Sequence, residues 1–99
     1  MKARSLTFYI DPDRLAEVVR VLDERIVPEY RGLPSFVGLV VLHADHVQRE
    51  VIGLSIWDGD LKASEEAIAG FRKKISHVSG ASASGETYDV LRLVSNQRG

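Results

Sequence analysis

Histidine and tyrosine are the residue types in this chain that could transfer protons, and its 99 residues include no cysteine nucleophile. His77, near the end of the second predicted helix, is the candidate acid or base, since an imidazole has an unperturbed pKa of about 6.5. A side chain that can carry positive charge also suits the dipole at a helix C-terminus. His77 is therefore predicted either to transfer protons or to cap the helix.

The candidates for holding a negatively charged substrate oxygen are three tyrosines and two arginines: Tyr9, Tyr30, Tyr88, Arg72 and Arg92. A phenol can orient or protonate such an oxygen, and Tyr9 lies on a predicted strand while Tyr30 follows a predicted helix. Strand alternation can equally point Tyr9 into a dimer interface. Arg72 can meet an anionic intermediate from the second predicted helix, although the run Arg72-Lys73-Lys74 also suits the dipole at that helix end.

The only tryptophan, Trp57, ends the apolar run Val51–Trp57, and a charged amphipathic helix follows at once. A large aromatic ring at a strand end beneath a helix can hold a planar molecule by stacking. Buried tryptophans are also large anchors of the core. Trp57 is therefore predicted either to line a pocket or to fill the space between helix and sheet.

His43, Asp45 and His46 suggest a metal site by type, but their spacing does not support one. Residues three apart on an extended strand point to opposite faces, and this polar segment separates two strand patterns. We expect it to form the solvated tip of a hairpin, and no metal site is predicted.

Charge and composition restrict the classes of partner. Thirteen basic and fourteen acidic residues give a formal net charge of −1, which indicates neither nucleic acid nor anionic membrane as a partner. The absence of cysteine excludes disulfides and thiolate metal sites, and the N-terminus lacks a signal peptide's apolar centre. We expect a cytoplasmic protein. No nucleophile elbow or phosphate loop appears, which argues against hydrolase and kinase chemistry.

The order of elements predicts the fold. With 44% hydrophobic and 27% charged residues, residues 1–99 are expected to form one folded domain. The patterns predict strands at Leu6–Ile10, Phe36–Leu42, Val51–Trp57 and Thr87–Val94, helices at Leu15–Ile26 (ended by Pro28) and Leu61–Ile75, and a loop at Ser79–Gly85. This order, βαββαβ, predicts a ferredoxin-like α+β fold: a four-stranded antiparallel sheet with two helices on one face.

The other face of that sheet predicts a homodimer. The strand Phe36–Leu42 is apolar almost throughout, which is typical of a strand covered on both faces. A monomer would leave a large apolar patch exposed, and such patches usually mark interfaces. We expect two sheets to pack face to face.

The segment Ser55-Ile56-Trp57-Asp58 is followed by a predicted helix with Glu65, Glu66, Ala67 and Phe71. This is the best local match in a sequence that resembles the antibiotic biosynthesis monooxygenase family of dimeric α/β barrels. The resemblance covers nearly the whole chain. It implies oxidation of a small, planar, polyketide-like aromatic molecule by molecular oxygen without a cofactor, although some members of the family have no assigned activity. The oxygenases of that family rely on an asparagine near the sheet. The only asparagine of this chain is Asn96, in the C-terminal tail, so this chain departs from the family pattern there.

Under this resemblance, Trp57, Phe71 and Tyr30 are the expected substrate contacts. His77 is the expected acid or base, and Tyr9 or Arg72 would steady an enolate. The competing hypothesis is a non-catalytic ligand-binding or structural dimer whose pocket is filled by its own side chains.

Overall fold

The computed structural model of the protein describes residues 1–46, 49–59, 61–76 and 84–94. Four strands form one antiparallel sheet in the order β2-β3-β1-β4. They are β1 (Lys2–Tyr9), β2 (Phe36–His43), β3 (Glu50–Trp57) and β4 (Ser84–Asp89), and the α-helices are α1 (Leu15–Val21), α2 (Val27–Arg31) and α3 (Lys62–Ile75). The prediction of a ferredoxin-like α+β fold is confirmed.

The first helical region, residues 12–31, continues past Pro28, so the predicted helix end at that proline is wrong. A π-helical turn, Leu22–Ile26, separates α1 from α2, and the Val27 N–H bonds to the Leu22 carbonyl, five residues back. Pro28 then lies in the first turn of α2, where a missing N–H costs nothing. The wider turn thus accommodates the proline without ending the helical region. No helix in the described ranges has the length and apolarity needed to cross a membrane.

The pairing of β1 with β3 determines which side chains meet the helices. Leu6 lies opposite Gly53, and Phe8 lies opposite Val51. Because side chains alternate along a strand, Arg4 shares a face with Leu6 and Phe8. We call this helix-covered face of the sheet the inner face. Its core is completed by residues from the helices: Val18, Leu22, Ile26, Tyr30, Ala67, Ile68, Phe71 and Ile75.

The opposite face, which we call the outer face, exposes apolar side chains near the hairpin. Val40 pairs with Leu54 and Leu42 pairs with Ile52, so these four side chains lie together. Val40 and Leu42 are 45% and 49% exposed. The single chain therefore leaves an apolar surface on the sheet.

The last strand lies earlier in the chain than predicted. In place of a loop at Ser79–Gly85 and a strand at Thr87–Val94, β4 spans Ser84–Asp89 and pairs with β1. A Cβ at Gly85 would collide with the Ser5 carbonyl, so glycine permits this close pairing although its type suggests a loop. Residues 79–83 of the predicted loop lie outside the described ranges.

Candidate ligand site

Trp57 lies in a closed aromatic cluster on the inner face. Its side chain is fully buried, and its ring centroid lies 5.5 Å from that of Tyr30 and 5.4 Å from that of Phe36. The indole Nε1–H donates to the Ser55 hydroxyl at 2.8 Å. The ring is thus packed on its sides and its polar group is satisfied, as expected of a core anchor.

Phe71 covers the centre of the inner face. Its ring contacts the ring of Phe8 edge-on, with centroids 5.7 Å apart. It also lies over Gly53, where an added Cβ would be 3.7 Å from the phenylalanine ring. A longer side chain at position 53 would therefore need Phe71 to move.

Tyr30 is a buried phenol beside a cation. Burial raises its pKa well above the ordinary value of a tyrosine, and the positive charge of Arg4 opposes that shift only in part. Burial disfavours the phenolate because the charged form loses its hydration. Tyr30 is therefore a neutral hydrogen-bond donor at physiological pH rather than a base.

Arg4 is the charged member of the inner row of β1. Its Nη1 donates to the hydroxyl of Ser64 at 3.3 Å and lies 4.0 Å from a carboxylate oxygen of Glu65. The arginine side chain is 23% exposed and that of Glu65 is 68% exposed. Removing most of a guanidinium from water costs free energy unless hydrogen-bond or ionic partners replace its lost hydration.

Among the residues that the structure describes, two cavities on the inner side of the sheet lie close to this cluster. The larger, which we call the β2 groove, has a volume of about 710 Å³ and separates the first helical region from the edge strand β2. Its walls are mainly aliphatic, with Asp23, Arg31 and His43 as polar members. The aliphatic side chains include Leu15, Val18, Val19 and Leu22 from the helical region and Val37 and Val41 from β2.

The smaller space, which we call the Arg4 cavity, has a volume of about 10 Å³. Arg4, Tyr30 and Ser55 are its polar lining residues, and Phe71 is among its apolar ones. Such a volume holds about one water molecule. Leu39 lines both the Arg4 cavity and the β2 groove, so the two spaces adjoin.

The structure brings the three predicted substrate contacts together and places two of the predicted catalytic residues, Tyr9 and Arg72, apart from them. Trp57, Phe71 and Tyr30 all belong to the core cluster. Tyr9 follows the inward Phe8, so it lies on the outer face, opposite Glu50 of β3. Arg72 is exposed on α3, and its Nη2 lies 3.8 Å from where a Cβ of Gly85 would be. His77 lies outside the described residues, and the catalytic roles of all three stay predictions.

Comparison of the sequence with models of protein families finds no match, and comparison with curated proteins finds none either. Solved structures match instead. A monooxygenase from the gene ActVA-Orf6 of Streptomyces coelicolor, in complex with the ligand nanaomycin D, has 12% identity and a TM-score of 0.74, covering 97% of this chain and 92% of its own. SnoaB, a cofactor-independent oxygenase from Streptomyces nogalater solved as an asparagine-to-alanine variant, has 16% identity and a TM-score of 0.66, covering 96% and 97%.

A third structure, an antibiotic biosynthesis monooxygenase, has 14% identity and a TM-score of 0.71, covering 93% of this chain and 100% of its own. This chain has the same fold as these three proteins. The resemblance seen in the sequence is confirmed at the level of the fold. Sequence identities this low do not establish a shared activity, because proteins with one fold can have many different functions.

Within this fold, the roles of Arg4, Ser55 and Ser64 and the presence of the β2 groove were not predicted from the sequence. Arg4 was missed because the predicted first strand begins at Leu6, so its place in the inward row was not considered. Strand alternation extended back from Phe8 through Leu6 would have placed a cation among core residues. The groove gives no comparable signal, since its valines and leucines also suit a packed core. In the described ranges, no three histidine or carboxylate side chains converge as metal ligands would.

Proposed function

We propose that the protein binds a small, planar, largely apolar aromatic molecule in the β2 groove and acts on it as a cofactor-independent monooxygenase. The groove itself is the observation that carries the proposal. Its volume of about 710 Å³ lies within the range of about 300 to 1,000 Å³ typical of small-molecule sites. Its aliphatic walls suit a polycyclic ring system, and its few polar residues can fix the orientation of that ring.

The fold supports the class of chemistry. Two proteins with this fold are a monooxygenase in complex with nanaomycin D and a cofactor-independent oxygenase. Oxidation of an activated aromatic molecule by oxygen needs a positioned substrate and a stabilised enolate, and both can come from the protein alone. In this proposal His77 exchanges the proton. Tyr9, on the outer face, and Arg72, beside Gly85 of β4, do not line the groove, so neither is placed to steady an enolate bound there.

The aromatic cluster supports the groove from behind. Phe36 lines the groove and packs edge-on against Trp57, while Tyr30 packs edge-on against Phe36 at 5.4 Å. We propose that Trp57 and Tyr30 hold the groove wall in place and that Phe71 closes the space behind them. Direct stacking of a ligand on the indole would require Phe36 or Tyr30 to move.

We also propose that two copies pack through their outer faces. Val40, Leu42, Ile52 and Leu54 form an apolar surface there, and burying it in a symmetric dimer would remove it from water. Sedimentation velocity at micromolar concentration should show a dimer. A stable monomer at that concentration would leave the exposed outer face unexplained and would contradict this part of the proposal.

The second candidate function is a non-catalytic ligand-binding or structural dimer. The closed packing around Trp57 favours it, because the space beside Tyr30 and Phe71 holds only about 10 Å³. The two functions differ in oxygen consumption. A binding protein would take up the ligand and leave dissolved oxygen unchanged.

The test is a titration with naphthoquinols and flavonoids. Binding is measured by the fluorescence of the only tryptophan, and oxygen consumption is measured with an oxygen electrode. Because Phe36 links the groove to Trp57, a ligand in the groove should change the indole emission, and a substrate should also consume oxygen. The His77→Ala variant should bind normally and lose oxygen consumption. Binding without oxygen consumption would favour a non-catalytic binding protein. No effect of any ligand on Trp57 would contradict the groove proposal and favour a structural dimer.

A further inference from the structure

Arg4 has more hydrogen-bonding capacity than its surroundings use. A guanidinium has five N–H donors, and among the described residues only the Ser64 hydroxyl lies within hydrogen-bond distance. The Glu65 oxygen at 4.0 Å is beyond that distance. A largely buried cation with unused donors is poised for an anionic acceptor.

The space beside Arg4 presents donors and hardly any acceptors. The Ser55 hydroxyl already donates to the Arg4 carbonyl at 3.3 Å and accepts from Trp57 at 2.8 Å. Tyr30 is a neutral phenol, and its hydroxyl has no hydrogen-bond partner within the described part of the chain. The group that best satisfies this arrangement is one oxygen atom that accepts hydrogen bonds and carries negative charge.

We propose that Arg4 is the anion-binding group of the ligand site, and that it selects ligands with an ionised hydroxyl on the ring system. The ring lies in the β2 groove, and the phenolate or enolate oxygen enters the Arg4 cavity past Leu39, which lines both spaces. The cavity volume of about 10 Å³ admits one such oxygen and no larger group. This inference rests on the proposed function, because it requires a ligand in the groove.

Two ligands that differ in one hydroxyl test the proposal by calorimetric titration. 2-Hydroxy-1,4-naphthoquinone is ionised at neutral pH, whereas 1,4-naphthoquinone has no hydroxyl. The wild-type protein should bind the hydroxylated compound about tenfold more tightly or better, as expected of a charge-assisted hydrogen bond. Arg4→Gln should abolish that preference and leave the affinity for 1,4-naphthoquinone unchanged. Arg20→Gln, which removes an exposed arginine of α1, is the matched control and should keep the preference.

Glu65 provides a second variant that acts in the opposite direction. Its carboxylate competes with the ligand for Arg4, so Glu65→Gln should raise the affinity for the hydroxylated compound by about twofold, a modest effect because the carboxylate is largely exposed. Glu66→Gln removes the neighbouring exposed carboxylate and should change nothing. Since Glu65 lies on the surface of α3, this pair does not depend on whether Arg4→Gln folds.

The absorption of the bound ligand gives a readout on the wild-type protein alone. Ionisation changes the colour of 2-hydroxy-1,4-naphthoquinone, and a cation beside the bound oxygen should lower the hydroxyl pKa by about one unit or more. Equal affinity of the wild type for the two compounds, or an unshifted pKa of the bound hydroxyl, would overturn the role of Arg4 and leave the groove proposal intact. Binding of neither compound would overturn both.

Discussion

Two neighbouring regions of the inner face differ in how completely their side chains fill the space between the helices and the sheet. Around Trp57, the rings of Tyr30 and Phe36 pack at tilted and edge-on angles, and the adjoining space beside Tyr30 and Phe71 is only about 10 Å³. Between the first helical region and β2, smaller aliphatic side chains leave about 710 Å³ unfilled. The difference shows that in this chain the largest side chains mark where the interior is filled. The opening lies beside the edge strand, where valines and leucines face each other without meeting.

The largest expected effect concerns stability in the closed region. Trp57→Ala should lower the free energy of unfolding by about 3 to 5 kcal/mol, because it removes a fully buried ring and leaves a cavity. Val37→Ala, in the wall of the groove and 43% exposed, should cost about 1 kcal/mol or less. Urea denaturation of both variants measures the contrast. Similar losses would mean that the two regions are equally packed and would remove the distinction.

A smaller effect concerns the buried phenol. Because the pKa of Tyr30 is raised in the folded protein, its contribution to stability is complete below the unfolded-state pKa of about 10. That contribution falls as the pH rises further, since the unfolded chain then releases this proton and the folded chain keeps it. The wild type should therefore lose up to about 1.4 kcal/mol per pH unit above pH 10 relative to Tyr30→Phe.

Urea denaturation at pH 9 and pH 11 measures this difference, and Tyr9→Phe, which removes an exposed phenol, is the control. At pH 9 the Tyr30→Phe variant should be about as stable as the wild type, because the lost hydroxyl has no hydrogen-bond partner in the described ranges. Parallel pH profiles of the wild type and Tyr30→Phe would show that the phenol is hydrated, and the closed region would then be more open than the structure indicates.

The sequence predicts the fold better than the site, for a physical reason. Apolar periodicity identifies strands and helices because burial of one face is a property of each segment, and the ferredoxin-like order follows from it. Pro28 and Gly85 misled the prediction because a π-helical turn and a close strand pairing override their usual meaning. The β2 groove could not be predicted, because a gap between packed elements depends on how those elements meet. Leu15 and Val41 would give the same apolar pattern in the sequence if the space between them were filled.

Trp57 also shows that the sequence predicts the fold but not whether a space is filled. Its place at the end of β3, before α3, correctly indicates the fold. Its ring gives no indication of whether the space beside it is empty, since that depends on Tyr30 and Phe36 from other elements. Arg4, in contrast, could have been found from strand alternation alone.

The most direct test of the central claim is calorimetric titration of Val41→Phe and Val40→Phe with a naphthoquinol that binds the wild type. Val41 lines the β2 groove, whereas Val40 is its neighbour on the outer face, so the two variants add the same ring on opposite sides of one strand. The account predicts that Val41→Phe weakens binding at least about tenfold, roughly 1.4 kcal/mol, and that Val40→Phe binds as the wild type does. Unchanged binding by Val41→Phe would contradict the claim that the groove is the ligand site.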